Sequence, residues 1–249
     1  MSNSAVMGYG EVGKAVRSFY ADPLIIEKDT QPEKQKVEVL NVCIPYSEEF
    51  EEQVGKAIEK YEPELVIIHS TVKVWTTKML YEKYKNVVHS PIRGVHPHLA
   101  ESIETFVKFI GADNKELGLK AQAHLTSLGI NSEIMMPSGN SELGKEASTT
   151  AYGSAIEVHR YFNELCEKLG LDFDKVMTRF TETYNQGYKD MGMPNVVRPV
   201  LYPPKGKLGG HCIIPNAQML EDQFGDNDIL RPLTKQNKRT KISEEPLWY

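Results

Sequence analysis

Short apolar runs recur along the first half of the chain and alternate with stretches of helical periodicity. The helical stretches carry apolar residues three to four positions apart and predict helices at 11–20, 48–61, 76–84 and 115–128. The apolar runs predict strands at 4–7, 24–26, 37–44, 65–68, 87–88, 106–110 and 132–136. Alternating strands and amphipathic helices predict an α/β fold whose mostly parallel sheet is doubly wound, with helices on both faces.

The second half follows a different pattern, without apolar runs of strand type. Residues 141–170 predict one long helix and residues 174–188 predict another. We therefore expect a first domain at 1–138, a helical domain at 139–224 and a polar tail at 225–249. Because a helix of about thirty residues is long for a compact domain, we expect this central helix to pack against its copy in a homodimer.

A glycine-rich turn separates the first predicted strand from the first predicted helix. Its sequence is Gly8-Tyr9-Gly10-Glu11-Val12-Gly13. The first glycine permits a tight turn, the second allows backbone to approach a pyrophosphate, and the third allows close helix packing. The helix N-terminus adds free N–H groups for the phosphates. This order of strand, turn and helix predicts a dinucleotide-binding domain of Rossmann type.

Two acidic residues follow the second predicted strand, at Glu27 and Asp29. An acidic side chain at this distance from the glycines holds the ribose 2′-hydroxyl in NAD-binding proteins, which favours NAD over NADP. Lys28 between them is an opposing charge, and the alternative is that both acids merely end a strand. The sequence therefore predicts NAD as the cofactor.

Composition and charge narrow the function classes. The chain has 249 residues, 40% hydrophobic and 25% charged, and its 29 basic and 34 acidic residues give a net charge of −5. This balance argues against nucleic acid as a partner. No apolar run approaches the ~20 residues that span a bilayer, and no secretory signal precedes the first strand, so we expect a cytoplasmic protein with no membrane contact. Three unpaired cysteines fit a reducing compartment.

Two local clusters invite further chemistry. His96-Pro97-His98 has no third ligand nearby in sequence, so we expect no metal site. Cys212 follows Gly209-Gly210-His211, an approach that suits a nucleophilic thiolate, while the alternative is a small buried hydrophobe. Lys205 and Lys207 precede it and are consistent with a small anionic substrate.

Several motifs occur in a fixed order over residues 4–220. They are Gly8 to Gly13, Val42-Cys43-Ile44-Pro45, Ser70-Thr71-Val72 with Thr76-Thr77, Ser90-Pro91-Ile92-Arg93, Glu142-Leu143-Gly144-Lys145, Cys166-Glu167-Lys168-Leu169-Gly170 and Gly209-Gly210-His211-Cys212. In this ordered set the chain resembles the UDP-glucose/GDP-mannose dehydrogenase family, including its UDP-N-acetylmannosamine dehydrogenase branch.

The resemblance implies an NAD-dependent, two-step oxidation of a nucleotide-sugar alcohol to a carboxylate. By position, Cys212 would be the covalent nucleophile, Lys145 an oxyanion stabiliser or proton relay, and Thr71 a hydroxyl that positions water. Pro45, Ser70 and Thr71 also fall at positions that border the cofactor.

The chain departs from this family at positions that matter for the chemistry. By this resemblance Ile92 replaces a glutamate, Thr149 an asparagine and Asn216 an aspartate, and we expect no counterpart of the C-terminal nucleotide-sugar-binding domain in these 249 residues. Losing a positioned acid or base costs about 10²–10⁴-fold in rate. Two alternatives to the full oxidation therefore stay open: a catalytically impaired NAD-binding or regulatory homologue, and a two-electron dehydrogenase or reductase.

Overall fold

The structure is a computed structural model, and it describes residues 3–30, 32–204, 208 and 212–235. The chain divides into two compact units between Glu146 and Ala147. Among the described residues, no helix is long and apolar enough to cross a membrane.

The first unit contains one seven-stranded sheet with the strand order β2-β1-β3-β4-β5-β6-β7. All neighbouring strands are parallel except β5 and β6, which pair in the antiparallel sense through His89 and Gly111. The strands are β1 Ser4–Met7, β2 Leu24–Ile26, β3 Val39–Val42, β4 Leu65–Ile68, β5 Val87–His89, β6 Lys108–Gly111 and β7 Ser132–Met135. The predicted mostly parallel, Rossmann-type sheet is thus confirmed.

Helices cover both faces of this sheet. They are α1 Glu11–Arg17, α2 Phe50–Tyr61, α3 Thr76–Tyr84, α4 Leu99–Thr105 and α5 Lys115–Ser127. Successive strand residues point to opposite faces: Val6 belongs to a core cluster with α1 and α5, and Ala5 and Met7 belong to a cluster with α2. Because each face of the sheet has its own apolar core, the fold is doubly wound.

The long central helix, α6 Gly139–Leu169, runs from the first unit into the second. The second unit continues with a π-helical segment, Asp174–Thr178, then α7 Arg179–Asp190, α8 Ile213–Phe224 and α9 Arg231–Thr234. In this unit, α6, α8 and α9 pack together through apolar side chains. A Cβ placed at Gly153 in α6 would lie 2.3 Å from Cγ2 of Ile213 in α8 and 3.4 Å from Cδ2 of Leu233 in α9. Leu233 is fully buried.

Three helices have no counterpart in the sequence prediction. The α4 helix is seven residues long and its apolar residues pack on α1. The α9 helix lies within the predicted polar tail, of which residues 236–249 are outside the described part. The α8 helix begins directly after Cys212, within the predicted helical domain but without a predicted helix of its own. Such short helices are stabilised by tertiary packing rather than by their own propensity.

Candidate functional site

The sheet has a topological switch point between β1 and β3. From β1 the chain passes through α1 to β2 on one side, and β3 then lies on the other side of β1. In open parallel sheets, ligands bind in the crevice at the carboxyl ends of the strands at such a point. Here those ends are Gly8-Tyr9-Gly10 after β1 and Cys43-Ile44-Pro45 after β3.

Glycines bring the turn after β1 close to the neighbouring elements. Gly8 has φ +91°, and a Cβ there would lie 2.9 Å from Ile44 Cγ2 and 3.0 Å from the Cys43 carbonyl. A Cβ at Gly13, in α1, would lie 1.8 Å from the Gly8 carbonyl oxygen. A Cβ at Gly10 would meet no heavy atom within 4 Å, so space lies open above the turn.

A cavity of about 650 Å³ occupies the switch point. Its wall is formed by the glycine turn, by the ends of β2 and β3, and by one face of α2. The lining residues are Met7, Gly8, Tyr9, Gly10, Ile26, Glu27, Lys28, Cys43, Ile44, Pro45, Ser47, Gln53, Lys56, Ala57 and Lys60. The volume falls in the range of small-molecule sites.

The predicted cofactor residues separate into those at this cavity and those away from it. Gly8, Tyr9, Gly10, Glu27 and Pro45 line it. The cavity lining does not include Glu11, Val12, Gly13, Asp29, Ser70 and Thr71. Burial raises the pKa of the Cys43 thiol in the wall to about 12, so this cysteine is a neutral part of the core.

Glu27 reaches from the end of β2 to the glycine turn. Its carboxylate accepts a hydrogen bond from the backbone N–H of Tyr9. Asp29 is exposed. The carboxylate of Glu11, at the start of α1, contacts His96 Nδ1.

The loop that carries Ser70 and Thr71 is fixed by hydrogen bonds to β3 and β5. The Ser70 hydroxyl donates to the Ile44 carbonyl at 2.5 Å, and the Ser70 carbonyl lies 3.1 Å from His89 Nε2. His89 Nδ1 lies 2.7 Å from the Ser141 hydroxyl in α6. Since a carbonyl only accepts, we assign the proton to Nε2 and the accepting role to Nδ1.

Lys145 lies half-buried in α6, one helical turn after Ser141. The pKa of His89 is lowered to about 3, mainly by burial; the hydrogen bond to Ser70 raises it, and the charges of Lys108 and Lys145 add to the lowering. The neutral His89 ring therefore connects the Ser70–Thr71 loop with Ser141, one turn before Lys145 in α6. His89 was not predicted as a site residue from the sequence.

Two buried carboxyl groups lie on the same side of α6. Glu142 accepts hydrogen bonds from the backbone N–H groups of Trp75 (2.7 Å) and Thr77 (2.8 Å), so it anchors the loop before α3. Both carboxyl oxygens of Glu146 are buried without a hydrogen-bond partner among the described residues. Burial, together with the nearby Glu142, raises the pKa of Glu146 to about 8. Glu142 belongs to a motif noted in the sequence, but neither carboxyl group was predicted as a site residue, because polar side chains in a helix are ordinarily exposed.

Cys212 and Asn216 belong to the second unit, whereas Thr71 and Lys145 belong to the first. Cys212 caps the N-terminus of α8, and its carbonyl accepts from the Asn216 N–H at 3.1 Å. Asn216 is buried, and its Nδ2 has no hydrogen-bond partner within the part of the chain that the structure describes. Gly209, Gly210, His211, Lys205 and Lys207 lie outside the described residues.

The substituted positions lie in contrasting surroundings. Ile92 is 6% exposed and packs in the core cluster with Ile103 and Ile110. Thr149 is half-buried in α6. Among the described residues, no three His, Cys, Asp or Glu side chains form a group suited to a metal ion.

Comparison with known proteins gives matches at the level of structure. No family model and no curated protein sequence matches the chain. UDP-D-ManNAc dehydrogenase from Pyrococcus horikoshii superposes with a TM-score of 0.75 at 16% identity, covering 95% of this chain and 68% of that one. UDP-glucose dehydrogenase from Pyrobaculum islandicum gives 0.68 at 14%, covering 96% and 68%. The 3-hydroxyisobutyrate dehydrogenase of Mycobacterium tuberculosis gives 0.70 at 14%, covering 94% and 92%.

These matches confirm the structural resemblance that the ordered motifs indicated. At such low identity the likeness concerns the fold. The chain has the Rossmann-type fold, followed by a helical unit, that the nucleotide-sugar dehydrogenases and 3-hydroxyisobutyrate dehydrogenase share with it.

Proposed function

We propose that this chain is a dehydrogenase that uses a nicotinamide dinucleotide to oxidise an alcohol group of a small anionic substrate. The observation that carries the proposal is the cavity of about 650 Å³ at the β1/β3 switch point, which the glycine turn borders. The dehydrogenases of similar fold support the same class of reaction.

The residues present fit a dinucleotide. Space lies open above Gly10, and α1 begins at the next residue, so its N-terminal N–H groups and dipole favour a pyrophosphate there. Glu27 lines the cavity beside the turn, where its carboxylate would accept a hydrogen bond from a ribose hydroxyl. This placement supports the sequence-based expectation of NAD.

The first unit also supplies groups for the alcohol. When bound, the nicotinamide takes the hydride that leaves the alcohol carbon. We assign to Lys145 the stabilisation of the alkoxide or the relay of its proton, because this residue is half-buried and its charge acts on the neutral His89 ring. Thr71, next to the tethered Ser70, would orient a water molecule.

Cys212 and Asn216 enter the proposal through the second oxidation step. The Cys212 thiolate would add to the aldehyde carbon, the adduct would give up a second hydride, for which a second dinucleotide would be the acceptor, and water would release the acid and the free thiol from the thioester. Asn216 lies one turn after Cys212, in the first turn of α8, and we propose that its side-chain amide serves the same step.

A two-electron oxidation is the second candidate. Ile92 is packed in the apolar core and offers no carboxylate for thioester hydrolysis. The chain also covers 92% of 3-hydroxyisobutyrate dehydrogenase, compared with 68% of the UDP-D-ManNAc enzyme. A single oxidation requires neither a covalent intermediate nor a hydrolytic water.

The first experiment is calorimetric titration with NAD, NADH and NADP, alone and with UDP-sugars, GDP-mannose or small hydroxy acids. We expect micromolar dinucleotide binding that one substrate class strengthens. Binding of dinucleotide without turnover of any substrate would favour a regulatory homologue, and absence of binding would refute the proposal.

The number of NADH molecules formed per substrate molecule separates the two oxidations. A four-electron oxidation gives two and a two-electron oxidation gives one. If Cys212 is the nucleophile, Cys212→Ala stops the reaction at one NADH, while Cys166→Ala, at a buried cysteine of α6, leaves the ratio unchanged. An unchanged ratio in Cys212→Ala would refute the covalent role.

The homodimer remains a proposal that exposed apolar side chains support. On α6 these are Tyr152, Val158 and Tyr161, which are 54%, 51% and 48% exposed. On α7 they are Phe180 and Tyr184, at 62% and 50%. Because exposed apolar side chains mark interaction sites where they cluster, we propose that a second copy of the chain covers those of α6 and α7.

A further inference from the structure

Three lysines border the cavity at the side where β2 ends. Lys28 directly follows Glu27, and Lys56 and Lys60 lie one turn apart on α2. Gln53 and Ala57 of α2 line the same wall, so a single face of this helix looks into the cavity. Residues four apart share a helix face. The two α2 ammonium groups therefore belong to the side of the helix that borders the ligand space.

The charge of this wall is positive. Its lining contains one carboxylate, Glu27, and three ammonium groups. The Glu27 charge is partly offset by the Tyr9 N–H, which donates a hydrogen bond to it. The wall therefore favours a ligand with more negative charge at this end than an unmodified ribose carries.

The lysines are available to an incoming anion. Lys28 and Lys60 have no ion-pair partner among the described residues, and Lys60 lies 5.2 Å from the centre of the Tyr61 ring. Lys56 pairs with Glu52 at 2.5 Å, but both side chains are exposed, by 72% and 65%. An exposed pair of this type contributes little free energy, so Lys56 can change partners.

The topology explains why α2 reaches this position. A full Rossmann half-sheet has a third strand beyond the second, but here β2 is the edge strand and residues 27–38 lead directly to β3. Among the described residues of that connection there is no helix and no strand. The ribose end of the cavity is therefore bordered by the β2 end and by α2.

We propose that this end of the cavity binds a phosphorylated ribose, so that the chain accepts NADP as well as NAD. Lys28, Lys56 and Lys60 contact the 2′-phosphate, and Glu27 accepts a hydrogen bond from the 3′-hydroxyl, the hydroxyl of that ribose that stays free in NADP. The inference rests on the proposed function in one respect, namely that the cavity is the dinucleotide site. It adds a phosphate subsite and the residues that decide cofactor selectivity.

The test is a titration with adenosine 2′,5′-bisphosphate and AMP, followed by NADP and NAD, at two salt concentrations. We expect the bisphosphate to bind more tightly than AMP, with an advantage that shrinks as salt rises. Lys56→Gln and Lys60→Gln should each weaken NADP binding about three- to tenfold and change NAD binding less than about twofold, as expected for charge-assisted contacts. Lys115→Gln, at an exposed lysine of α5, is the matched control.

A second variant tests the lysine contact in the opposite direction. Glu52→Gln removes the partner of Lys56 without altering the cavity wall, so it should tighten NADP binding about twofold. NADP binding more than tenfold weaker than NAD binding, or lysine variants that affect both dinucleotides equally, would overturn the phosphate subsite and leave the proposed function standing. Failure of both dinucleotides to bind would overturn both.

Discussion

Replacing Lys108 by Met should stabilise the protein at pH 6 and lose that advantage at pH 10. Lys108 begins β6, is 4% exposed, and donates hydrogen bonds to the Ser90 and Pro91 carbonyls, the latter at 3.3 Å. The pKa of Lys108 is lowered from 10.5 to about 7, mainly by burial; Cys43 raises this pKa and the charge of Lys145 lowers it. Methionine keeps an unbranched apolar stem of similar length.

The magnitude follows from the two pKa values. One pKa unit corresponds to about 1.36 kcal/mol, so the difference between 10.5 and about 7 disfavours the buried ammonium by about 5 kcal/mol. The two lost hydrogen bonds cost about 1 kcal/mol each. We therefore expect Lys108→Met to raise the free energy of unfolding by about 3 kcal/mol at pH 6, where lysine is charged in both states.

The pH dependence has a definite sign. Between pH 7 and 10.5 the unfolded chain keeps the Lys108 proton and the folded chain does not, so this residue makes wild-type stability rise with pH. At pH 10 the cost of the charge is nearly gone, and only the loss of hydrogen bonds separates the variant from the wild type. The variant should then be slightly less stable.

Urea unfolding followed by circular dichroism at pH 6, 8 and 10 measures these differences. Lys115→Met provides the control, because Lys115 is exposed at the start of α5. The reasoning would be refuted by a Lys108→Met variant that is less stable than the wild type at pH 6. It would also be refuted if the difference in the free energy of unfolding between variant and wild type were the same at all three pH values.

Three other predictions concern the acid in α6, the glycine turn and self-association. The pKa of Glu146 is raised from 4.5 to about 8, so this group takes up a proton on folding and the free energy of unfolding falls as pH rises from 4.5 to 8. In urea titrations, Glu146→Gln should make this fall smaller by about 2 kcal/mol, and an unchanged pH profile would contradict this. Gly13→Ala should weaken NAD binding at least tenfold in calorimetry, because the added methyl group pushes α1 away from the Gly8 carbonyl. Gly10→Ala should leave the fold intact by circular dichroism, because no heavy atom lies within 4 Å of the added methyl group. Val158→Glu should shift a sedimentation profile toward monomer, and a wild type that is monomeric at tens of micromolar would end the dimer proposal.

The sequence alone determined the architecture of the first unit. Its strands are short, apolar and mostly separated by periodic helices, so the order of the strands and of the longer helices, and the mostly parallel sheet, followed from local pattern. The glycine turn could also be located, because the roles of Gly8 and Gly13 depend on residues that are close in sequence or adjacent in the predicted sheet. Glu27 at the end of β2 followed from the same spacing.

Tertiary structure alone decided which polar groups are buried and which charges share a wall. His89, Lys108 and Glu146 look ordinary in sequence, and their perturbed pKa values arise from burial between elements that are distant along the chain. The facing of Lys56 and Lys60 toward the cavity depends on β2 being the edge strand, which no local pattern specifies. The physical reason is that desolvation and charge proximity depend on distance in space, whereas periodicity reports only distance along the chain.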